Sequence, residues 1–410
     1  MKKFFALLLS LAMVLALVAC GQKDPTPDTP DTPDDPQTKV EYKVAMITDY
    51  GDITDQSFNQ TTYEACKAFA EDNSIEFSYF KPAGDNTADR VAMIEKAVDE
   101  GFNVIVMPGY AFGGAIVEAA PEFPDVKFIA LDVAAGDLLE TAVAKAGEAY
   151  DYTPENWDLN KYVDMSNVYC AVYQEELCGY MAGYAAVKLG YKNLGFLGGM
   201  SVPAVVRYGY GFVQGVDAAA ADLGLTDVKL NYIYGGQFFG DADITAVMDT
   251  WYQGGTEVVF ACGGGIYTSA VDAAKKANAK VIGVDVDQAG VIAKYAGVDG
   301  MTVTSAMKGL YPATYDTLTD VIVNGNWDKY VGKIATLGLV SGTDPEANYV
   351  QIPMGDGTQW SDSFTQDDYK AMVKDMFDGK ITVSNNTSSD VSAASFATVI
   401  TVDDQGSIKG

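Results

Sequence analysis

A polar segment from Thr48 to Gln60 contains residue types that recognise small polar ligands. It holds three aspartates, an asparagine and a phenylalanine between a predicted strand and a predicted helix. In open parallel sheets, ligands bind beyond the carboxyl ends of the strands. Capping of the helix by Asp55 or Ser57 accounts for part of the polarity. It accounts for neither Asp49 nor Phe58, so we predict that these two side chains contact a ligand.

Glycines and aromatic residues follow other predicted strands in the same way. Gly109 lies at a predicted helix start, where backbone N–H groups can approach a ligand closely. Phe238 and Phe239 are adjacent in a predicted turn. Two neighbouring rings in a turn cannot both enter one core, so we expect at least one of them to face a cleft. Three further candidates at strand ends are Gly264, Asp285 and Lys308.

The elements that must position these residues alternate between short apolar strands and longer amphipathic helices. A first series covers residues 44–133, and a second covers 168–287 with a later strand at 301–308. Such alternation predicts parallel sheets that are covered by helices on both faces. Residues 136–166 are predicted to be an irregular, aromatic insertion, and a polar tail is predicted after a helix at 366–378.

We therefore predict an α/β protein with two doubly wound parallel-sheet domains, joined by several crossing segments, that enclose a ligand between them. The chain of 410 residues is longer than one hydrophobic core usually serves. The first predicted domain comprises residues 41–170 with part of 285–410. The second comprises residues 171–284 with part of 305–410.

The N-terminal segment resembles a bacterial lipoprotein signal. Lys2 and Lys3 precede an apolar run that is too short to span a membrane, and a small residue precedes Cys20. We expect residues 1–19 to be a cleaved signal peptide and Cys20 to carry a lipid that anchors the protein to the cell membrane, outside the cytoplasm. Residues 20–40 are rich in Pro, Asp and Thr, which predicts a disordered linker.

The composition excludes several classes of protein. The chain has 27 basic and 56 acidic side chains and a net charge of −29, which argues against binding of nucleic acid because that needs a basic face. Histidine is absent, so histidine-based triads and histidine zinc sites are excluded. The cysteines after Cys20 lack CxxC spacing and are predicted to be small buried residues. They are Cys66, Cys170, Cys178 and Cys262.

Six sequence blocks resemble the basic membrane protein family, whose members are extracytoplasmic solute-binding lipoproteins of ABC transporters and include purine-nucleoside-binding proteins. The blocks are DYGDITDQSFNQ (49–60), VIVMPGYAFGGAIVEAAPEFPDVKFIALDV (104–133), EELCGYMAGYAA (175–186), GFLGGMSVPAVVRYGYGFVQGV (195–216), VVFACGGG (258–265) and VIGVDVDQ (281–288). The resemblance implies a hinged fold like that of type I periplasmic binding proteins, without enzymatic activity, metal or cofactor. It also implies a permease and an ATPase on separate chains.

The same resemblance implies that a purine base lies between two aromatic rings. Asp49 and Asn59 would contact the edge of the base. Phe58 would stack on one face, with Phe239 or Phe238 on the other. A carboxylate at the edge favours bases that offer N–H donors, so a nucleoside of the inosine, guanosine or adenosine type is expected. Stacking contributes about 1 to 3 kcal/mol per base.

Asp285 and Lys308 would hold the ribose hydroxyls in this arrangement. Two alternatives remain open. The ligand could be a sugar or another small signal molecule, because sugars also stack on aromatic rings and one fold serves many ligands. Alternatively, the protein could be a nucleoside hydrolase in which Asp49, Asp52 and Asp55 surround a metal ion. The sequence lacks the dense ligand set that such hydrolases need, so we favour binding over catalysis.

Overall fold

The computed structural model describes residues 41–409. The predicted signal peptide, Cys20 and the predicted linker lie outside the described residues. The described residues from Tyr42 onward form one compact unit. Within residues 41–409, no helix is both long and apolar enough to cross a lipid bilayer.

The described residues alternate between strands and helices. The strands are β1 (Lys43–Ile47), β2 (Glu76–Phe80), β3 (Val104–Pro108), β4 (Lys127–Leu131), β5 (Val168–Tyr173), β6 (Asn193–Gly198), β7 (Lys229–Tyr234), β8 (Val258–Cys262), β9 (Lys280–Asp285), β10 (Thr302–Lys308), β11 (Lys333–Leu337), β12 (Val350–Gln351) and β13 (Thr401–Ser407). The α-helices are α1 (Phe58–Asn73), α2 (Thr87–Asp99), α3 (Gly113–Ala119), α4 (Ala135–Lys145), α5 (Leu159–Tyr162), α6 (Glu175–Lys188), α7 (Pro203–Asp222), α8 (Ala242–Gln253), α9 (Tyr267–Ala277), α10 (Ala289–Ala296), α11 (Leu310–Leu318) and α12 (Gln366–Phe377).

The first sheet consists of parallel strands in the order β11, β5, β4, β3, β1, β2. Its inner strands are largely apolar, and every residue of β3 is buried. This pattern suits a strand that helices cover on both faces, because neither face then needs polar side chains. The sheet is the centre of the first lobe.

The second sheet has the strand order β12, β10, β9, β8, β6, β7, β13 and is the centre of the second lobe. β12 runs antiparallel to β10, whereas the other neighbours pair in parallel. The chain crosses between the two sheets three times, after β5, β10 and β11. The predicted fold class, an α/β protein with two parallel-sheet domains, is confirmed.

The prediction of an irregular insertion at 136–166 is wrong for its first part, because α4 forms there. Asp137 stabilises the start of α4 by accepting a hydrogen bond from the N–H of Ala134 at 2.7 Å. The buried side chains of this helix recur at helical spacing: Leu138, Leu139, Ala142 and Val143. α4 connects β4 to β5, and β5 pairs with β4 in the first sheet. The strand at 168–173, predicted to open the second series, therefore belongs to the first lobe.

Three edge strands, β11, β12 and β13, were not predicted from the sequence. β13 has the polar sequence TVDDQGS, and most of its side chains are exposed. It joins the sheet through parallel pairing with β7, from Thr401 opposite Lys229 to Ser407 opposite Tyr234. Backbone pairing at an edge leaves the side chains in solvent, so no apolar pattern marks the strand.

Helices α6 and α7 pack with their backbones in close contact, which positions polar residues at their N-termini. A Cβ atom at Gly179 would lie 2.3 Å from the carbonyl oxygen of Tyr208, and one at Gly211 would lie 2.0 Å from that of Glu176. Only glycine permits this approach. The N-terminal residue of α6, Glu175, is thereby brought beside α7.

The four cysteines of the described residues are buried and have free thiols, as predicted for small core residues. They are Cys66, Cys170, Cys178 and Cys262. Burial raises the pKa of each thiol, so the reactive thiolate form is suppressed at neutral pH.

Candidate functional site

A cavity of about 390 Å³ is lined by residues from both lobes, and all nine predicted ligand-contacting residues line it. Its volume falls in the range of roughly 300 to 1,000 Å³ that is typical of small-molecule sites. The candidates from the first lobe are Asp49, Phe58, Asn59 and Gly109, and those from the second are Phe238, Phe239, Gly264, Asp285 and Lys308. Their roles as ligand contacts stay predictions.

Asp49 is held in the turn that follows β1. Its Oδ1 accepts hydrogen bonds from the N–H groups of Tyr50 at 2.6 Å and Gly51 at 2.7 Å. Gly109 follows β3 with a φ of 126°, and a Cβ there would lie 2.9 Å from Oδ2 of Asp49. Burial raises the pKa of the Asp49 carboxyl, and the two backbone hydrogen bonds only partly offset this shift.

Asp55 caps the start of α1, as one of the two capping alternatives predicted. Its carboxylate accepts hydrogen bonds from the N–H groups of Ser57 at 2.9 Å, Asn59 at 2.9 Å and Gln60 at 3.1 Å. The prediction that Ser57 caps the helix is wrong, because its side chain makes no capping hydrogen bond. The Ser57 hydroxyl instead donates to Oδ2 of Asp285 in the second lobe at 2.5 Å. This bond joins the two lobes beside the cavity.

Asn59 offers a free acceptor at the cavity. Its Nδ2 donates to Oδ2 of Asp55 at 3.2 Å. Its Oδ1 is buried and has no hydrogen-bond partner among the described residues. A buried polar atom without a partner costs about 1 to 3 kcal/mol. A ligand N–H group beside Asn59 would remove that cost.

The aromatic rings come from opposite lobes. Phe58 is half-buried in the first turn of α1, and the Nζ of Lys308 lies 4.7 Å from its ring centroid. Phe238 packs its ring against the backbone of Gly199 and Gly263, whereas Phe239 is 56% exposed. The prediction that at least one of the adjacent pair faces a cleft is confirmed, because both residues line the cavity.

Lys308 lies among carboxylates from both lobes. Its Nζ is 2.5 Å from Oδ2 of Asp132, 3.5 Å from Oε1 of Glu175 and 3.9 Å from Oδ1 of Asp285. Burial lowers the pKa of Lys308, but these three carboxylates outweigh burial and raise it overall. The ammonium group is therefore charged at neutral pH.

Arg207 and Tyr208, at the start of α7, support the same cluster. The Nε of Arg207 donates to Oε2 of Glu175 at 2.7 Å. The hydroxyl of Tyr208 donates to Oδ1 of Asp285 at 3.2 Å. Asp285 therefore accepts one hydrogen bond from each lobe: Tyr208 of the second lobe donates to Oδ1, and Ser57 of the first lobe donates to Oδ2.

Asp132 is a cavity residue that the sequence analysis missed. Burial raises the pKa of its carboxyl to about 6, although the nearby Lys308 ammonium opposes the shift. Its Oδ1 is buried without a hydrogen-bond partner among the described residues. The sequence did contain a signal for Asp132, because this residue directly follows the apolar strand KFIAL. Asp285, which was predicted, stands in the same way at the end of the apolar strand KVIGVD.

The three aspartates near the first strand do not converge on one point. Asp49 and Asp55 are occupied by backbone N–H groups, and Asp52 forms an exposed ion pair with Lys81 at 3.0 Å. Within residues 41–409, no group of three or more acidic or cysteine side chains is arranged to hold a metal ion. The geometry gives no support to the metal-dependent hydrolase alternative.

Comparison with known families identifies one match over most of the chain. The model of the family described as "ABC transporter substrate-binding protein PnrA-like" matches residues 42–345.

Individual relatives match over similar lengths. The chain is 25% identical over 389 residues to the ABC transporter nucleoside-binding protein BmpA of Lactococcus lactis subsp. cremoris, covering 92% of this chain and 96% of the relative. It is 26% identical over 322 residues to basic membrane protein B of Borreliella burgdorferi, covering 76% and 83%.

Two solved structures share the fold. An ABC transporter solute-binding protein from Aeropyrum pernix K1 superposes with a TM-score of 0.63 at 19% identity, over 85% of this chain and 95% of that one. A second, from Conexibacter woesei, gives a TM-score of 0.57 at 19% identity, over 84% and 99%.

Proposed function

Because this chain belongs to the family of PnrA-like ABC transporter substrate-binding proteins, we propose that it binds a purine nucleoside between its two lobes and delivers it to a membrane permease. The observation that carries the proposal is a single cavity with polar acceptors at Asp49 and Asn59, rings at Phe58 and Phe239, and a charged cluster around Lys308. The similarity to a nucleoside-binding protein over 92% of the chain supports the same ligand class.

The base would lie between Phe58 and Phe239, with its edge toward Asp49 and Asn59. Phe58 comes from the first lobe and Phe239 from the second, so stacking on both rings draws the lobes together. The unpartnered Oδ1 of Asn59 is an acceptor for a base N–H. Asp49 supplies a carboxylate at the same end of the cavity, which favours purines that carry N–H donors.

The ribose would lie near Asp285 and Lys308. Hydroxyl groups can donate to Asp285 and to the unpartnered Oδ1 of Asp132, and they can accept from the Lys308 ammonium. These groups come from both lobes, so ribose binding would also depend on closure.

The charge of the cavity favours a neutral ligand over a phosphorylated one. Five carboxylates line it, and they are those of Asp49, Asp52, Asp55, Asp132 and Asp285. Only two lysines accompany them, Lys81 and Lys308. This excess of negative charge would repel the phosphate groups of a nucleotide. A nucleoside has no phosphate group, so it would not be repelled.

In this proposal the protein is a non-enzymatic carrier, and the permease and ATPase are separate chains. Cys20 carries the lipid that holds it at the outer side of the cell membrane. We further propose that the lobes comprise residues 41–173 with part of 285–410, and 174–284 with part of 305–410, which moves the boundary predicted at residue 170 to the end of β5. Closure of these lobes around the ligand would be the state that the permease recognises.

Calorimetry tests the ligand class. Protein from residue 41 onward, unfolded and refolded to remove carried-over ligand, is titrated with inosine, guanosine, adenosine, hypoxanthine and ribose. We expect saturable binding of nucleosides and much weaker binding of the free base and of ribose. Binding of ribose with no response to any nucleoside would contradict the proposal and favour a sugar as the ligand.

A further inference from the structure

We propose that the C-terminal strap, defined as residues 398–409, positions the aromatic loop at 235–241 that contributes Phe238 and Phe239 to the cavity. Lys409 is the positioning residue in this device. The strap lies outside residues 42–345, the part that matches the family model. The effect on ligand affinity rests on the proposed function, whereas the effect on the loop itself does not.

The strap reaches the aromatic loop by pairing alongside β7. β13 runs parallel to β7 up to Ser407 opposite Tyr234, and the N–H of Ile408 donates to the carbonyl of Tyr234 at 2.8 Å. β7 leads directly into the aromatic loop. Parallel pairing therefore brings the end of the strap to the start of the loop, at the same edge of the sheet as the cavity.

Lys409 connects two residues of the aromatic loop that flank its phenylalanines. Its Nζ donates to Oε1 of Gln237 at 2.9 Å and forms an ion pair with Asp241. The Nε2 of Gln237 in turn donates to the carbonyl of Phe239 at 2.9 Å and to Oδ2 of Asp241 at 3.0 Å. One cation thus closes a hydrogen-bonded ring around the two phenylalanines.

Phe239 depends on this backbone support because its own ring is largely exposed. On the cavity side, the N–H of Gly265 donates to the carbonyl of Phe238 at 2.8 Å, and Phe239 forms a β-bridge with Gly265. On the outer side, the carbonyl of Lys409 lies 2.6 Å from where a Cβ of Gly236 would be. The aromatic loop is therefore held between the glycines at 263–265 and the strap.

The strap is itself anchored at its beginning by Asp217 on α7. The Asp217 carboxylate accepts hydrogen bonds from the N–H groups of Thr398 at 2.8 Å, Val399 at 2.8 Å and Ile400 at 3.2 Å. Burial raises the pKa of this carboxyl, but a hydrogen bond from the Thr398 hydroxyl at 2.6 Å and the three backbone bonds outweigh burial and lower it overall. The anchor therefore stays charged at neutral pH, and the strap is fixed at both ends.

The test compares Lys409→Met with Lys409→Arg in protein that lacks residues 1–40. Lys380→Met is the matched control, because it removes the same charge from an exposed ion pair, with Asp375 at 2.6 Å. Amide hydrogen exchange of residues 235–241 is measured without ligand, and inosine affinity is measured by calorimetry. Thermal melting confirms that every variant is folded.

We expect Lys409→Met to speed exchange of the aromatic loop and to weaken inosine binding by about 3- to 10-fold, because the ligand must then order a mobile side chain. Lys409→Arg should restore both properties, and Lys380→Met should change neither. Unchanged exchange in Lys409→Met would overturn the proposal, as would faster exchange with unaltered affinity. If the unsubstituted protein binds no nucleoside, the proposed function fails, and the exchange result alone decides whether Lys409 positions the loop.

Discussion

Asp132 and Asp285 occupy equivalent positions in the two lobes and face the same ammonium group. Asp132 follows β4, which lies between β3 and β5, and Asp285 ends β9, which lies between β8 and β10. Both adopt left-handed backbone conformations, with φ of 60° and 65°. Their carboxylate oxygens are 2.5 Å and 3.9 Å from the Nζ of Lys308.

A second pair of turns repeats this relationship. Gly109 follows β3 with a φ of 126°, and Gly263 follows β8 with a φ of 141°. The two lobes therefore build the cavity from the same two strand-end turns, one with glycine and one with aspartate. Aspartate tolerates the left-handed region better than most residues, although at some cost in strain. Such strain at corresponding positions is typical of functional sites.

Removing either stacking ring should weaken nucleoside binding and leave the fold intact. Phe58→Ala and Phe239→Ala should each cost about 1 to 3 kcal/mol of binding free energy, since each removes one face of the stack. Calorimetry with inosine measures the change. Phe377→Ala is the control, because Phe377 is an exposed phenylalanine on α12 that does not line the cavity. Equal affinities for the control and for Phe58→Ala would remove Phe58 from the site.

Asp285→Asn should discriminate between ribosides and free bases. Asp285 accepts hydrogen bonds from Ser57 and Tyr208, so its carboxylate is oriented by both lobes. Loss of its charge should reduce inosine affinity by about tenfold or more, because hydrogen bonds to charged groups contribute about 1.5 to 3 kcal/mol. Hypoxanthine affinity should hardly change. Equal losses for inosine and hypoxanthine would contradict the assignment of Asp285 to the ribose.

Inosine affinity should fall as the pH drops through about 6, since burial raises the pKa of Asp132 to about 6. The proposed contact needs the carboxylate, so a proton must leave Asp132 before the ligand binds. Below this pH, Asp132 is protonated and its ion pair with Lys308 is lost. Above it, affinity should be nearly constant.

The Asp132 prediction is checked by calorimetry from about pH 5 to about pH 8. Asp132→Asn should bind weakly throughout this range, and its affinity should be nearly independent of pH. If Asp132→Asn keeps the pH dependence of the unsubstituted protein, the group that titrates is not Asp132.

Gly109→Ala should impair the site through Asp49. A Cβ at Gly109 would lie 2.9 Å from Oδ2 of Asp49, and the residue has a positive φ. Displacement of that carboxylate should lower inosine affinity by about tenfold.

Gly147→Ala is the matched control for Gly109→Ala. Gly147 also has a positive φ, of 76°, but apart from its chain neighbours no described residue lies within 4 Å of a Cβ there. Gly147→Ala should lower the unfolding free energy by about 1 to 2 kcal/mol and Gly109→Ala by about 1 to 3 kcal/mol, because L residues are strained at positive φ. Only Gly109→Ala should reduce affinity. A similar loss of affinity in both variants would mean that backbone strain, not Asp49, is responsible.

Several features of this protein could be predicted from sequence because they depend on local pattern. Apolar runs such as VIVMP become buried parallel strands, and the residues that follow them gather at one edge of each sheet. Geometry of parallel sheets therefore suffices to bring Asp49 and Gly109 to the same edge of the first sheet, although they are far apart in sequence.

The sequence by itself determined the fold class and the strand ends that line the cavity, whereas the tertiary structure decided which charges meet there. The Lys308–Asp132 ion pair joins residues 176 positions apart, and the Ser57–Asp285 bond spans 228. Neither has a local pattern, because the packing of one lobe against the other creates both contacts. β13 could not be predicted because it also lacks a local pattern. Its polar side chains remain in solvent, and only backbone pairing with β7 makes it a strand.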